Sequence, residues 1–303
     1  MRGDGGAGPQ DRGQEAAAGA VGRHGVGAGR PGRAIAIDWS GRADAAGQRA
    51  AIWTATAVAG ELRSLANGRD RSEAVAAALA ALDGEPATLL GLDFAFSWPR
   101  WYLRREGLAG AEEAWARAAT LAALPGRELP RPFWGAGVRR LAEAELDGRD
   151  PLRLTERSPD AAAAGARSTF HAGGAGTVGL QTIRGMPHLA ALRRAGVAVW
   201  PFDETASGAP AAVEIFPRML ARALAPPGAG RGAAFRAAVV AALPDGALAA
   251  VPGARRRMLA GQDAFDAGVA AIALSRDPGA GLRAPRGEPV LSEGWIWAAR
   301  PAS

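Results

Sequence analysis

The sequence predicts an α/β protein, with a mixed β-sheet flanked by helices and a helical and loop insertion after the fourth strand. Short apolar runs bounded by turn residues are typical of buried strands, and they alternate with segments that carry Ala and Leu at helical spacing. The first strands are separated by hairpin-length turns, whereas the later ones are separated by helices. We therefore expect antiparallel pairing first and helical crossovers afterwards.

The chain length of 303 residues allows a sizeable core. Residues 1–32 are Gly-, Ala- and Arg-rich with few bulky apolar side chains, so we expect a disordered tail there. The remainder, 33–303, is predicted to be one domain with its insertion at about 98–196. Neither a secretory signal nor an apolar run of about 18 residues is present, which predicts a cytoplasmic protein without a membrane partner.

The residue types exclude several kinds of chemistry. The chain has no Cys, so it has no disulfide, no thiol nucleophile and no Cys-ligated zinc or iron–sulfur site. The formal net charge is +6, and all 36 cationic side chains are Arg. No run of Arg alternates with aromatic residues as a base-stacking groove would, so the charge alone indicates a nucleic-acid partner only weakly. Arg255–Arg257 is expected to be a solvated helix face.

The first half of the chain contains the clearest elements. Residues 72–82 have Ala and Leu at helical spacing, with Ser72 as the expected N-cap and Gly84 as the end signal. The other predicted elements of this half are strands at 33–40, 49–58, 61–65 and 87–97.

The second half is less regular. Residues 98–147 read as helices broken by Pro-rich patches, and 148–176 as a long polar loop that could be a lid or face a substrate. Pro217 is expected to end the last strand. The other predicted elements are helices at 180–196, 232–243 and 263–275, and strands at 197–203 and 211–218.

Acidic residues stand out by their position at strand ends and on one late helix. Because strand ends in one α/β sheet converge on one crevice, several carboxylates there are less readily explained as isolated caps or ion pairs. Carboxylates without His or Cys suit a hard cation such as Mg²⁺ or Mn²⁺, and two such ions are the usual device for phosphodiester displacement. The candidate metal ligands are Asp38, Asp93, Glu214, Asp263 and Asp266.

Other candidates are weaker. Gly174, Gly176 and Gly179 match a dinucleotide-binding fingerprint with Asp203 beyond it, but the preceding residues do not read as the strand that this motif requires. The loop could still bind a substrate phosphate through its backbone N–H groups. His188 more simply satisfies a local hydrogen bond. The candidate substrate-binding residues are Ser40, Arg184, Arg218, His171, Gly174 and Gly176.

Five motifs together resemble the domain-of-unknown-function family 429, over nearly all of 33–276. They are AIAIDWSG (34–41), GLDFAFSWP (91–99), STFHAGGAGTVGLQTIRGMPHLAALRRAGVAVWPFD (168–203), VEIFPR (213–218) and DAFDAGVAAIALS (263–275). The resemblance implies a predicted nuclease with an RNase H-like fold. It also implies metal-binding acids on the first strand, on a neighbouring strand and on a late helix, which fall on Asp38, on Asp93, and on Asp266 or Asp263. Glu214 is an additional candidate.

The resulting hypothesis is a Mg²⁺- or Mn²⁺-dependent phosphodiester hydrolase acting on nucleic acid. Asp38 would bridge two ions, while Asp93 and Asp266 would each complete one coordination shell. Two alternatives stay open: a non-catalytic nucleotide-binding or regulatory module, and an actin-like ATPase or phosphotransferase, whose second domain does not fit the remaining chain. The sequence leaves open whether the substrate is DNA or RNA and whether cleavage is internal or from an end. It also leaves the oligomeric state open.

Overall fold

All strands of the described residues belong to one mixed sheet. The computed structural model describes residues 32–298 apart from 84, 86–87, 136, 138, 142, 175–176, 207, 277–281, 283 and 286. The predicted tail lies outside this part except for its last residue, as do Gly84 and Gly176. The strands are β1 (Arg33–Asp38), β2 (Trp53–Val58), β3 (Glu61–Ala66), β4 (Thr88–Leu92), β5 (Ala198–Val199) and β6 (Ala211–Glu214).

The pairing follows the predicted division into hairpins and crossovers. The strand order is β3-β2-β1-β4-β6-β5. Strand β1 pairs antiparallel with β2, and β2 pairs antiparallel with β3, whereas the pairs β1–β4, β4–β6 and β5–β6 are parallel. The α/β class and the mixed sheet flanked by helices are thereby confirmed.

Helices occupy most of the segments between the strands. Short 3-10 turns lie at Gly126–Glu128 and Glu143–Leu146. The α-helices are α1 (Ala45–Ala51), α2 (Arg71–Leu82), α3 (Arg100–Arg105), α4 (Ala111–Ala122), α5 (Pro159–Ala164), α6 (Gly179–Arg194), α7 (Pro217–Leu224), α8 (Gly232–Ala242), α9 (Ala254–Ala260), α10 (Gln262–Arg276) and α11 (Glu288–Glu293). No helix of the described residues is both long enough and apolar enough to cross a membrane.

Two apolar layers cover the sheet. Because side chains alternate along a strand, Ile35 and Ile37 of β1 face α2, α4 and α6, whereas Ala34 and Ala36 face α10. The small alanines let α10 lie close to the sheet, and a Cβ on Gly91 of β4 would stand only 2.5 Å from a methyl carbon of Leu274. This close packing fixes where the first turn of α10 meets the strand ends.

Several predicted boundaries were wrong for identifiable reasons. Residues 49–51 belong to helix α1, which Asp44 caps by accepting a hydrogen bond from the Gly47 N–H at 2.6 Å. Helix α2 is capped by Asp70 instead of Ser72, in a reciprocal capping box with Glu73.

The second half of the chain also differs from its predicted pattern. Pro217 begins α7 rather than ending the preceding segment, because proline fits the first helical position, where no N–H partner is needed. The strand expected at 197–203 is only two residues long, and the strand expected at 87–97 ends at Leu92. Helix α5 lies inside the loop expected at 148–176, and α11 was not predicted.

Gly185 provides a test of how tightly α6 packs against Phe94. A Cβ at this position of α6 would lie 2.5 Å from the buried Phe94 ring, so we expect Gly185→Ala to destabilise the fold. Overpacking costs about 1–3 kcal/mol, which offsets or exceeds the roughly 1 kcal/mol that Ala gains over Gly in a helix. Gly261→Ala is the matched control, since its Cβ would have only one contact, at 3.9 Å. Urea unfolding of both variants measures the difference; equal stability would contradict the tight packing.

Candidate functional site

Two carboxylates lie side by side at the ends of the central parallel strands. Asp38 is the last residue of β1, and Asp93 directly follows β4, where its N–H donates to the Ile37 carbonyl at 3.1 Å. The two carboxyl groups lie close enough to hydrogen-bond to each other if one of them carries a proton. The predicted convergence of these strand ends is therefore present in the structure.

The first turn of α10 adds two further acids. Asp263 and Asp266 are one helical turn apart, and both line the same cleft as Asp38 and Asp93. The Gln262 side chain donates to both Asp266 oxygens, at 2.9 and 3.0 Å. Sequence positions 38, 93, 263 and 266 thus form one acidic cluster, which we call the carboxylate floor.

Burial and mutual repulsion disfavour ionisation of the carboxylate floor. Burial, followed by repulsion from Asp93, Asp266 and Asp263, raises the pKa of Asp38 well above its usual value. Burial and the same kind of repulsion raise the pKa of Asp93, and burial raises that of Asp266 to about 7. Burial also raises the pKa of Asp263, against the attraction of Arg42.

Glu214 has a different environment from the carboxylate floor. It ends β6, and Arg153 donates to both of its oxygens, to Oε2 at 2.9 Å. The Phe96 N–H also donates to Oε2, at 2.9 Å. Arg153 binds Glu156 in addition, and all three side chains are at most 3% exposed. The predicted ligand Glu214 is thus already in a buried ion pair, although it lies close enough to raise the pKa of Asp93.

Arg153 and Glu156 were missed by the sequence analysis. Both lie within a segment that is polar enough to be predicted as a loop, and a charged side chain there gives no sign that it is buried. Burial opposes the charge of Arg153, but Glu156 and Glu214 outweigh it and raise the pKa of the guanidinium. This network joins the insertion to β6 and, through the Glu293 carbonyl at 2.9 Å from Arg153 Nη1, to α11.

A cleft of about 1360 Å³ opens above the carboxylate floor. Of the predicted substrate-binding residues, Ser40, Gly174 and Arg218 line it. Five exposed arginines also line it, and no carboxylate oxygen of the described residues lies within 4.0 Å of their guanidinium nitrogens. They are Arg42, Arg167, Arg218, Arg222 and Arg231.

The other predicted substrate-binding residues have different surroundings. Arg184 donates to the Gly41 carbonyl and is not among the cleft-lining residues, so the structure gives it a role in holding the loop after β1. His171 is also outside the lining; its ring stacks on Trp134 with centroids 5.6 Å apart, while its neighbours 172–174 reach the cleft. Gly176 lies outside the described residues.

The remaining His and the fingerprint have structural explanations. His188 packs edge-on against Trp39, and burial followed by repulsion from Arg71 lowers its pKa to about 4. No strand directly precedes Gly174 in the described residues, as a dinucleotide fingerprint would require. Asp203 pairs with Arg193 at 2.8 Å and accepts from the Val199 N–H at 2.8 Å.

The donor chemistry of the carboxylate floor fits a hard divalent cation, although the arrangement is open. No three His, Asp or Glu side chains of the described residues are placed so that they could hold a metal ion as they stand. Mg²⁺ usually keeps several waters and is held by one or two carboxylates together with substrate phosphates, so it does not need a closed cage of protein ligands. The neighbouring carboxyl groups of Asp38 and Asp93 would supply such ligands once both are deprotonated.

Comparisons of the chain with protein-family models, with curated proteins and with solved structures give no match. The resemblance to family 429 therefore stays a prediction from the motifs.

The raised pKa of Asp266 predicts a pH-dependent stability difference. Between the unfolded value near 3.8 and the folded value of about 7, the native state binds more protons than the unfolded state, so this group lowers stability as pH rises. We expect Asp266→Asn, which stays neutral, to gain stability relative to the wild type between about pH 5 and pH 8. Urea unfolding in EDTA measures the gain.

Asp245→Asn is the matched control, because Asp245 is exposed and lies outside the cleft lining. It shows the effect of removing an exposed charge. A stability difference between Asp266→Asn and the wild type that does not change with pH would contradict the raised pKa of Asp266.

Removing Arg153 tests the buried network. Arg153→Met leaves two buried carboxylates without their shared cation, so we expect a loss of about 3–5 kcal/mol in unfolding free energy. Arg157→Met is the control, since Arg157 forms only an exposed pair with Asp150 at 3.5 Å and should change stability by less than about 1 kcal/mol. Similar losses in the two variants, measured by urea unfolding, would argue against the network as a structural anchor.

Proposed function

We propose that this protein is a divalent-metal-dependent nuclease with an RNase H-like fold, belonging to family 429. The observation that carries the proposal is the carboxylate floor, whose members come from β1, from the end of β4 and from a late helix. No Arg nitrogen of the described residues lies within 4.0 Å of an oxygen of Asp38 or Asp93, so their negative charge has no ion-pair partner there. A bound cation would remove this imbalance.

The fold supports the proposal in outline. The resemblance implies a metal-binding Asp on the first strand, an acid on a neighbouring central strand and a third acid on a late helix. Asp38 lies on β1, Asp93 follows its parallel neighbour β4, and Asp263 and Asp266 lie on α10. The order and placement of these acids match the implied pattern.

Each group then has a defined task. Asp38 and Asp93 would hold one Mg²⁺ or Mn²⁺ ion, and Asp266 with Asp263 would hold a second. Bound divalent ions supply charge neutralisation at the phosphorus centre and a water of lowered pKa. Arg218, which is close enough to act electrostatically on Asp266, binds a non-bridging oxygen of the same phosphodiester and keeps it over the floor.

A non-catalytic nucleotide-binding module is the second candidate. It is favoured by the raised pKa of Asp38, which burial and the neighbouring acids cause, and by the lack of three metal-ready side chains among the described residues. In such a module the arginines would bind phosphate while the acids remain protonated, and neither divalent ions nor Asp38 would affect nucleotide binding.

Calorimetric titration with Mn²⁺ tests the metal site without any assumption about substrate. We expect the wild type to bind about one or two ions and Asp38→Asn to lose one, because the substitution removes the charge between the strands with little change in volume. Asp245→Asn, an exposed matched substitution, should bind as the wild type does. The same titration with phosphate-containing oligonucleotide present covers binding that needs substrate.

Hydrolysis of single- and double-stranded DNA and RNA then tests the activity. Asp38→Asn should reduce Mn²⁺-dependent cleavage by roughly 100-fold or more. Full cleavage by Asp38→Asn would rule out the assigned metal centre. Nucleotide binding without turnover, unchanged in this variant, would favour the binding module, and ATP turnover without cleavage of nucleic acid would favour a phosphotransferase.

A further inference from the structure

One side of the cleft combines arginine and phenylalanine side chains that are dispersed along the sequence. Arg218 and Arg222 lie four residues apart in α7, and Arg231 immediately precedes α8. Phe216 precedes α7, and Phe235 lies in α8. All five line the cleft, and we call them the α7–α8 wall.

The positive charge of this wall is available to a ligand. Its three arginines are exposed, and no carboxylate oxygen of the described residues lies within 4.0 Å of their guanidinium nitrogens. Arg218 and Arg222 are spaced to lie on the same side of α7. Arg218 lines the same cleft as Asp266 of the carboxylate floor. Several arginines in the same cleft as the acids suit a chain of successive phosphates.

The aromatic residues of the wall add flat apolar surface to the same cleft. Phe235 packs edge-to-face on the fully buried Phe265, with centroids 6.4 Å apart, which restricts the orientation of its ring. The residue is only half-buried and lines the cleft, so part of its surface remains accessible. An accessible ring beside a phosphate-binding side chain is the arrangement on which unpaired bases stack.

The burial of the acids decides which form of nucleic acid, single-stranded or duplex, can bind to this wall and reach them. Asp38 is only 6% exposed at the bottom of the cleft, so the phosphate to be cleaved must enter it. A duplex keeps its bases paired inside and cannot offer a base face to Phe235 while lowering a backbone phosphate to the floor. A single strand can do both, since its bases are free to turn out.

We propose that the α7–α8 wall binds single-stranded nucleic acid, with backbone phosphates on Arg218, Arg222 and Arg231 and a base stacked on Phe235. The inference rests on the proposed nuclease function, because it names the class of substrate that the same cleft would bind. Its test is a binding measurement and does not depend on cleavage.

Fluorescence anisotropy with a labelled oligonucleotide of about 12 residues, single-stranded or annealed to its complement, measures the preference in EDTA and again with Ca²⁺. We expect the wild type to bind the single strand at least about tenfold more tightly than the duplex. Replacing all three arginines by Gln should reduce the slope of log affinity against log salt by about two, at roughly 0.7 for each phosphate contact. Phe235→Leu should weaken binding roughly tenfold without changing that slope.

Two control variants distinguish the α7–α8 wall from the general effects of removing an arginine or shortening a phenylalanine. Arg256→Gln removes an exposed arginine of α9 outside the cleft lining, and Phe202→Leu shortens a half-buried phenylalanine that also lies outside it. Both should bind as the wild type does. Thermal unfolding of every variant verifies folding, and if Phe235→Leu does not fold, the salt slope of the triple arginine variant decides.

Equal affinity for duplex and single strand, or an unchanged slope in the triple variant, would overturn the inference. So would a Phe235→Leu variant, folded, that binds like Phe202→Leu. Single-strand binding without metal-dependent cleavage would refute the nuclease proposal and leave the wall assignment standing. Cleavage of duplex without a single-strand preference would do the reverse.

Discussion

The unequal neutralisation of buried carboxylates at the ends of the central strands is the constraint on which the site depends. Glu214 on β6 receives a fully buried Arg153, so its charge is balanced inside the protein. Asp38 ends β1 and Asp93 directly follows β4, the strand between β1 and β6, and no Arg nitrogen of the described residues lies within 4.0 Å of either carboxyl group. Since desolvated like charges repel, this pair needs a proton or an external cation to remain buried. A positive charge bound beside the pair would relieve this repulsion.

The ion-paired Glu214 helps to hold the unpaired carboxylates Asp38 and Asp93 in place. Glu214 accepts from the Phe96 N–H, and the Phe96 carbonyl accepts from Trp115 Nε1 at 2.9 Å. The segment that follows Asp93 is therefore fixed from two sides, by the buried ion pair and by α4. Asp93 and the strand-end loop cannot shift to relieve the repulsion without breaking these hydrogen bonds, so the acids stay close together.

The sequence was informative where local patterns determine structure. Apolar runs that end in an acid located Asp38 and Asp93, and the spacing of Asp263 and Asp266 placed both on one helix, because strand and helix periodicities are local properties. The burial of Arg153 could not be predicted, since it depends on a partner 61 residues away on β6. Pro217 has two local meanings, a stop or a first helical residue, and only the position of α7 against the rest of the fold decides between them.

The distribution of arginines explains why the net charge alone says little about what binds in the cleft. Arg49, Arg117 and Arg193 each pair with acids elsewhere on the protein, so they add little to the field felt by an approaching ligand. The five exposed arginines of the cleft have no such partners among the described carboxylates, and they line the same cleft as the carboxylate floor. Under the proposed function, the arginines would bind phosphate and the carboxylate floor would bind a divalent cation. A phosphodiester that reaches both would be held by the arginines and by the metal together.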